Sequence, residues 1–597
     1  MKVEDGFQQP RIELPAAYSA DPVFQALLER LLPPRVFEPV ERELKEFEIR
    51  LAGPIRKLAN RVDLSPHSIE PTLTQYDQFG QRVDLLETSE SWRELKKVAI
   101  EEGTVAIPME RKEGEFSRVR GFAKSYLHAP DGLYVGCPIS MTDGAARVLE
   151  LAGTEQMKKE ILPRLMSRDP KRAYIAGQWM TEKSGGSDLG LTDTVARPVD
   201  PSKTSPGDEF NLDGFKWFSS ATDGDVALAI ARTGGEGSGS RGLSLFLIEL
   251  RDAQGKMNGI YVHRLKKKFG TKALPTAELS ISSCRAKLVG PLGSGVRTIS
   301  SVLNITRLYS AMSCVSALRR CLVLAKAFSK IRHIGGDLNR LLRDDSMHTN
   351  ALVKSELTHR ALLHLVFGTI LLLGRSEAHG DKFDEGEKWR LRLLTPVVKS
   401  FAAELSTTEM PDLMASLGGQ GYMVENQFAR LIADANVERI WEGTTSVLSL
   451  DVVRVILQSK GTAIKSFVDW ARSILDTAEG IESSPASTRR RLNLLEQATR
   501  RYASKTADPR LSRPILFLLG YIASTVYLIE QAQWSASNGR PEAEPDRWIV
   551  AEWTETGGAQ ETVRILEKLL AESGTAARDT MDKERALVYG KERSSRL

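Results

Sequence analysis

"QWMTEKSGGSD", residues 178–188, is the stretch on which the fold turns. On its N-terminal side, apolar residues recur at i, i+3 and i+4 in "VERELKEFEIRLAGPIRKLANRV", "SWRELKKVAIEEGT" and "EQMKKEILPRLMS", the period of a helix with one buried face. From about 173 the texture changes. The runs "AYIAGQWM", "EFNLDGFKWFSS", "DVALAIART", "LSLFLIEL", "GIYVHRL" and "AELSIS" are short, alternating or wholly apolar. Turns such as "RPVDPSKTSPGDE" and "TGGEGSGSRG" separate them, as expected of strands and hairpins. Within the quoted stretch a strand closes at Thr181, and Gly185, Gly186 and Ser187 then expose backbone N–H groups and a hydroxyl. Such a turn can cradle phosphate, but by itself it is equally an ordinary loop.

Beyond about 291 helices resume in "LYSAMSCVSALRRCLVLAKAFSKI", "HTNALVKSELTHRALLHLVFGTILLLG" and "RLRLLTPVVKSFAAELSTTEM", long and apolar enough for a bundle. The expected architecture is mainly α with a central β domain. It runs as an N-terminal helical domain at 20–172, a β domain at 173–290, a four-helix bundle at 291–457 and a helical extension at 462–590.

Composition bounds the function. The 597 residues carry a net charge of +5, with 41% hydrophobic and 27% charged side chains. That balance demands neither nucleic acid nor an anionic membrane. Four cysteines without a CxxC pair and only eight histidines give no zinc cluster. Cys314 and Cys321, a heptad apart on an apolar helix, are expected to pack as small hydrophobes. The N-terminus lacks the apolar core of a signal peptide. The apolar stretches 361–374 and 515–529 read as buried helices rather than membrane spans. The last residues, Ser595-Arg596-Leu597, fit the small-basic-Leu form of the peroxisomal signal and predict that address.

Three further stretches bear on chemistry. "FKWFSS" (215–220) puts Trp217 and Ser219 on a strand, either as core or as an aromatic wall and a hydrogen-bond donor beside a flat cofactor. In "SLGGQGYMVENQFARLIADANVERIWEGTT" (416–445), Gly418, Gly419 and Gly421 permit close backbone approach. The absence of a G-x-G-x-x-G after a first strand argues against a Rossmann site. Finally, Glu442 stands just ahead of the apolar helix begun by Thr444, Thr445 and Ser446. It is either an acid complementing a helix dipole or a general base beside a phosphate-holding helix end.

In this order the pieces resemble the acyl-CoA dehydrogenase superfamily over roughly residues 25–457. The family's TE-x-x-x-GSD is matched by Thr181-Glu182-Lys183-Ser184-Gly185-Gly186-Ser187-Asp188, and its K-W-I-T by Lys216-Trp217-Phe218-Ser219. LGG-x-G(Y/F) is matched by residues Leu417 to Tyr422, and I-Y-E-G-T by Ile440 to Thr444. The spellings "MTEKSGGSD", "CPISMT" and "WEGTTSVLSLDVVRV" are similar to the AidB-like branch, which also has a helical C-terminal domain.

The resemblance implies FAD as cofactor. Thr181 and Ser219 would bond the flavin ring, with Trp217 packed on it and Met180, Gly186 and Ser187 lining the site. Gly418 and Gly419 belong to the same cofactor-binding set. Thr444 and Ser446 would meet the pyrophosphate, and Arg332 would reach FAD across a subunit interface, which implies a homotetramer or a dimer. Glu442 lies where the family keeps its base. Some members move that base to the position here occupied by Thr306, which cannot serve. Trp441 and Arg307 fall on the substrate side. The implied reaction is α,β-dehydrogenation of an acyl-CoA in fatty acid β-oxidation, with electron-transfer flavoprotein or oxygen as acceptor. The chain departs from the family at Gly335, Ala415 and Ser446, so adenine-side contacts are expected to differ.

Two rivals stand beside this reading. An acyl-CoA oxidase would use the same residues. A DNA-associated flavoprotein would use Arg489, Arg490, Arg491, Arg500, Arg501 and Lys505 of the tail, but acidic and basic side chains nearly balance from residue 459 onward, which argues against nucleic acid.

Overall fold

A computed structural model of the chain describes residues 10–64, 69–235, 237–252, 254–335, 337–481, 484–504, 508–572 and 575–590. Lys505 and Ser595-Arg596-Leu597 lie outside the described residues. The chain divides into two compact units. The first comprises Met1–His359, Val366–Phe383 and Ala402–Gly443, and the second Arg360–Leu365, Asp384–Phe401 and Thr444–Leu597.

The first unit opens with helices whose starts are written in the sequence. Asp21 caps Pro22–Leu31 by accepting from Phe24 N, and Ser89 caps Glu90–Glu101 by accepting from Trp92 N. The region is not wholly helical, contrary to expectation. Strands β1 (Thr72–Tyr76) and β2 (Arg82–Glu87) form an antiparallel hairpin around a turn in which Asp77 Oδ1 accepts from Phe79 N and Gln81 N. "TLTQY" does alternate, but so short a run between amphipathic helices is easily absorbed into the helical pattern.

The β domain holds β3 (Ala176–Trp179), β4 (Val195–Pro198), β5 (Glu209–Ser220), β6 (Val226–Arg232), β7 (Leu243–Glu249), β8 (Ile260–Leu265) and β9 (Thr276–Val289). Pairings β4–β5, β5–β9, β9–β7, β7–β6 and β6–β4 close a ring, with β3 on β6 and β8 on β9. Inward side chains including Trp179, Phe210, Leu212, Phe246 and Leu288 fill it. The first hairpin covers β8: Gln75 Nε2 donates to Val262 O and Asp84 Oδ2 accepts from Val262 N, a common way to protect a sheet edge. Between Lys216↔Leu279 and Ser219↔Ala277 the register slips, so Trp217 and Phe218 together oppose Glu278. That bulge governs the site described below.

The Gly295–Ser329 helix is largely buried, with Cys314 and Cys321 in its core-facing surface as expected. It approaches the Gly136–Ala152 helix so closely that a Cβ on Gly144 would stand 2.5 Å from Val302 Cγ1.

The second unit is helical. Its Ser512–Ser537 helix, with Ile515, Leu519, Ile522, Val526 and Ile529 buried, lies among Thr445–Gln458, Thr462–Asp476, Ser484–Tyr502, Ala543–Thr556 and Ala559–Ala571. The expected basic cluster falls on Ser484–Tyr502, but Arg491 is turned inward and donates to Thr554 O at 2.6 Å, while Arg489 pairs with Asp476 at 2.8 Å. Three helices among the described residues are long and apolar enough to cross a membrane, and the most apolar window of each is 89% buried within the protein.

Candidate active site

The strand-and-turn side of the site is built on a buried ion pair. Lys216, on β5, donates to Glu182 Oε1 at 2.5 Å and to Ile230 O at 2.8 Å. Glu182 also accepts from Asp193 N and Thr194 N. Burial lowers the Lys216 pKa and Glu182 acts against that shift. The turn after Thr181 is thereby fastened to β5, and Trp217 N donates to Thr181 O at 2.9 Å. Gly185 has no room for a side chain, since a Cβ there would lie 2.4 Å from Asp188 O.

The bulge decides what β5 presents. Strict alternation from the buried Lys216 would bury Phe218 and expose Ser219. Instead Phe218 is exposed, Trp217 is half-buried and Ser219 is fully buried, as an extra residue in one strand re-aims the side chains after it. Among the described residues Ser219 Oγ finds no hydrogen-bond partner. A buried, unsatisfied hydroxyl calls for an explanation, and a bound group that accepts a hydrogen bond supplies one. Ser219 therefore fits the flavin contact expected of it. Thr181 and Met180 are half-buried, whereas Gly186 and Ser187 are exposed on the turn. Lys266 Nζ stands 3.3 Å from the centroid of the Trp217 ring.

The second part of the candidate site is the segment 428–443. After the Phe428–Asn436 helix a single 3-10 turn, Val437–Arg439, leads to Trp441 and Glu442. Glu442 is half-buried and has φ 58°, the left-handed region. For a residue with a side chain this costs about 1–3 kcal/mol, so the surroundings must enforce it. Thr306 does so in part: its hydroxyl donates to Glu442 Oε2 at 2.7 Å. Arg307 Nε donates to the Glu442 carbonyl at 3.4 Å. The two residues that the sequence sets against each other as base and non-base are thus in direct contact.

One turn before Glu442, the buried Glu438 accepts from Tyr134 OH at 2.9 Å, from Ser310 Oγ and from Trp441 Nε1. The Tyr134 and Trp441 ring centroids are 5.9 Å apart. Burial, then Glu438, holds the Tyr134 hydroxyl well above its ordinary pKa, so it remains a donor. Tyr134 also lines a small cavity of about 40 Å³ with Ile139, Tyr309, Met312, Ser313 and Leu431. The cavity runs along the Gly295–Ser329 helix, one to three turns beyond Thr306. At its wall Asp434 accepts from Thr271 N, and burial raises its pKa to about 6.

The remaining expected residues are placed separately. Gly418 and Gly419 are exposed in a 3-10 segment, and a Cβ on either would meet open space. Gly421 is the glycine of close approach: its Cβ would stand 2.0 Å from Met414 O. Arg332 is exposed beside the short hairpin of β10 (His333–Ile334) and β11 (Asp337–Leu341). In the second unit Thr444 caps Thr445–Gln458, accepting from Val447 N at 3.4 Å, and both Thr444 and Ser446 are exposed. Glu438, Tyr134 and Ser310 escaped the sequence reading, and Lys216 entered it only as part of a motif. The available signal was the pair Thr306 and Ser310, hydroxyls one turn apart in an apolar helix, matching Glu438 and Glu442 at the same spacing.

Family models match three successive parts of the chain. Residues 293–457 match the acyl-CoA dehydrogenase C-terminal domain, 177–284 the acyl-CoA dehydrogenase middle domain, and 8–170 the N-terminal domain of the adaptive response protein AidB. The chain is 37% identical over 550 residues to acyl-CoA dehydrogenase family member 11 of Caenorhabditis elegans, covering 89% of this chain and 86% of that protein. It is 29% identical over 399 residues to the putative acyl-CoA dehydrogenase AidB of Escherichia coli, covering 66% and 70%. The crystal structure of Caenorhabditis elegans ACDH-11 in complex with C11-CoA superimposes with a TM-score of 0.88 at 34% identity, covering 99% of this chain and 98% of that one.

Proposed function

The chain belongs to the acyl-CoA dehydrogenase family, in its AidB-like branch, and from that premise we propose that Glu442 removes the α-proton of an acyl-CoA thioester. The protein is an FAD-dependent oxidoreductase. FAD, when bound, supplies the acceptor for the hydride that leaves the β-carbon. Ser219, Thr181, Met180 and Trp217 are the residues that would hold its ring side, with Gly186 and Ser187 on the turn.

The observation that carries the assignment is the Glu442 carboxylate itself. It is half-buried, fixed in a left-handed backbone and oriented by the Thr306 hydroxyl at 2.7 Å. A positioned carboxylate of this kind can accept a proton from carbon, while a neutral hydroxyl cannot. Trp441 walls the approach, and Arg307 steadies the loop through the Glu442 carbonyl. The small cavity beside Tyr134, lined in part by Ile139, Met312 and Leu431, marks where an acyl tail would enter if the pocket widens around it. Since the solved relative was captured with C11-CoA, a straight chain of similar length is the first substrate to offer.

The finer features belong to the same reading. A homotetramer or dimer suits the exposed Arg332, a peroxisomal address suits Ser595-Arg596-Leu597, and both fit a role in fatty acid β-oxidation. Nucleic acid has little to grip on a tail whose Arg491 is buried, and the long apolar helices serve the protein's interior. The decisive experiment is anaerobic titration of the yellow protein with a panel of acyl-CoAs, then readmission of air. Bleaching by at least one straight-chain member is expected. Reoxidation by air at a catalytic rate would identify an oxidase, and failure to bind FAD at micromolar levels would end the enzymatic reading.

A further inference from the structure

Glu438 and Glu442 lie one helical turn apart in sequence, and each takes a hydroxyl from the same helix, Ser310 and Thr306, themselves one turn apart. The arrangement is a two-rung ladder running antiparallel between the segment 438–442 and the Gly295–Ser329 helix. The second rung does more than the first. Glu438, 1% exposed, also accepts from the Trp441 indole and from Tyr134 OH at 2.9 Å. One carboxylate therefore joins three things: the helix that holds Thr306, the residue adjoining the base, and a tyrosine that lines the cavity. We infer that Glu438 is the positioning residue of this site, setting the place of Glu442 and the facing of Trp441 against Tyr134 through these three bonds. The inference rests on the reading of Glu442 as the base.

The chemistry of the acceptor makes the role specific. The Trp441 indole can only donate and both hydroxyls donate here, so a carboxylate, which accepts at both oxygens, suits all three. An amide of the same shape would put an NH₂ where one carboxylate oxygen accepts, so a hydroxyl there would have to reverse its bond and the indole would lose its own. The left-handed backbone at Glu442 adds to the argument, because a strained conformation persists only where neighbours over-determine it. The hydrogen bonds described for Glu438 are with Tyr134, Ser310 and Trp441, not with the carboxylate of Glu442. It acts through Trp441 and the backbone between.

The test uses the FAD-loaded full-length protein and stopped-flow anaerobic reduction by whichever acyl-CoA bleaches the wild type. Glu438→Gln is expected to keep its flavin and to lower the limiting reduction rate about 10–100-fold, the scale expected of a small misplacement of a reacting group. The acyl-CoA dissociation constant should move much less, and the tryptophan fluorescence should change in a way that Trp441→Phe abolishes. If Glu438→Gln does not fold, Tyr134→Phe and Ser310→Ala each remove one donor and leave the carboxylate, and each should slow reduction several-fold. A folded Glu438→Gln that reduces at near wild-type rate overturns the inference, as do two donor variants with unchanged rates. Failure of the wild type to bleach with any acyl-CoA would instead overturn the reading of the reaction.

Discussion

Two buried glutamates stand in the two parts of the candidate site, and the donors described around them differ. Glu182 meets the ammonium of Lys216 and two backbone N–H groups. Glu438 meets a phenol, an alcohol and an indole. The first is a charge pair in a sheet, whose loss leaves an uncompensated ion in the interior. The second takes hydrogen bonds from donors on three segments, so that removing any one of those donors leaves the others in place. The strand side is thus scaffold, and the Glu442 side is adjustable. That difference predicts where a substitution costs rate and where it costs stability.

The largest effect should be on rate, at the adjustable side. Glu442→Gln is expected to retain fold and flavin and to lose reduction by acyl-CoA by about 10²–10⁴-fold, the usual worth of positioned acid–base catalysis, measured by anaerobic stopped-flow. Near wild-type reduction by every acyl-CoA offered would show that the base lies elsewhere.

On the scaffold side, Lys216→Met should act on stability first. Breaking a buried pair by removing one partner typically costs about 3–5 kcal/mol, so the urea midpoint of the variant should fall sharply and FAD retention with it. A variant as stable as the wild type would erase the contrast between the two sides.

A third measurement separates both sides from the helical framework. Tyr126 OH lies 2.8 Å from His359 Nε2, and burial lowers the pKa of His359, like that of His128, to about 4. The unfolded chain takes up these protons near pH 6.5 and the folded one resists. Stability therefore falls as pH drops from about 6.5 towards 4, by up to about 3 kcal/mol for each histidine if its full shift is realised. His359→Gln should flatten that slope in urea titrations between pH 7 and pH 5. An unchanged slope would assign the acid sensitivity to other groups.

The smallest effect is expected at Thr306→Ala. It removes the hydroxyl that orients Glu442 Oε2 but leaves the base, so reduction should slow several-fold, an energy of about 1 kcal/mol for one hydrogen bond. A loss as large as that of Glu442→Gln would mean that Thr306 does more than orient the carboxylate.

Much of the architecture was legible from the chain alone, because periodicity and turn chemistry are local. The strands β5 to β8 and the long helices follow from runs whose spacing and boundaries are written in adjacent residues. The sequence also marked Glu442, Ser219 and the 181–188 turn as places where chemistry belongs. It gave no warning of the β1–β2 hairpin, where five alternating residues are outweighed by the helices around them. Nor did it show that Ser219 would be buried, since that depends on one residue of slippage against β9, a property of the pairing and not of either strand. Glu438 looked like any acid on a helical turn. Donors to it come from positions 134, 310 and 441, and only the folded chain brings them to one carboxylate, because hydrogen-bond satisfaction of a buried group is settled by contacts distant in sequence.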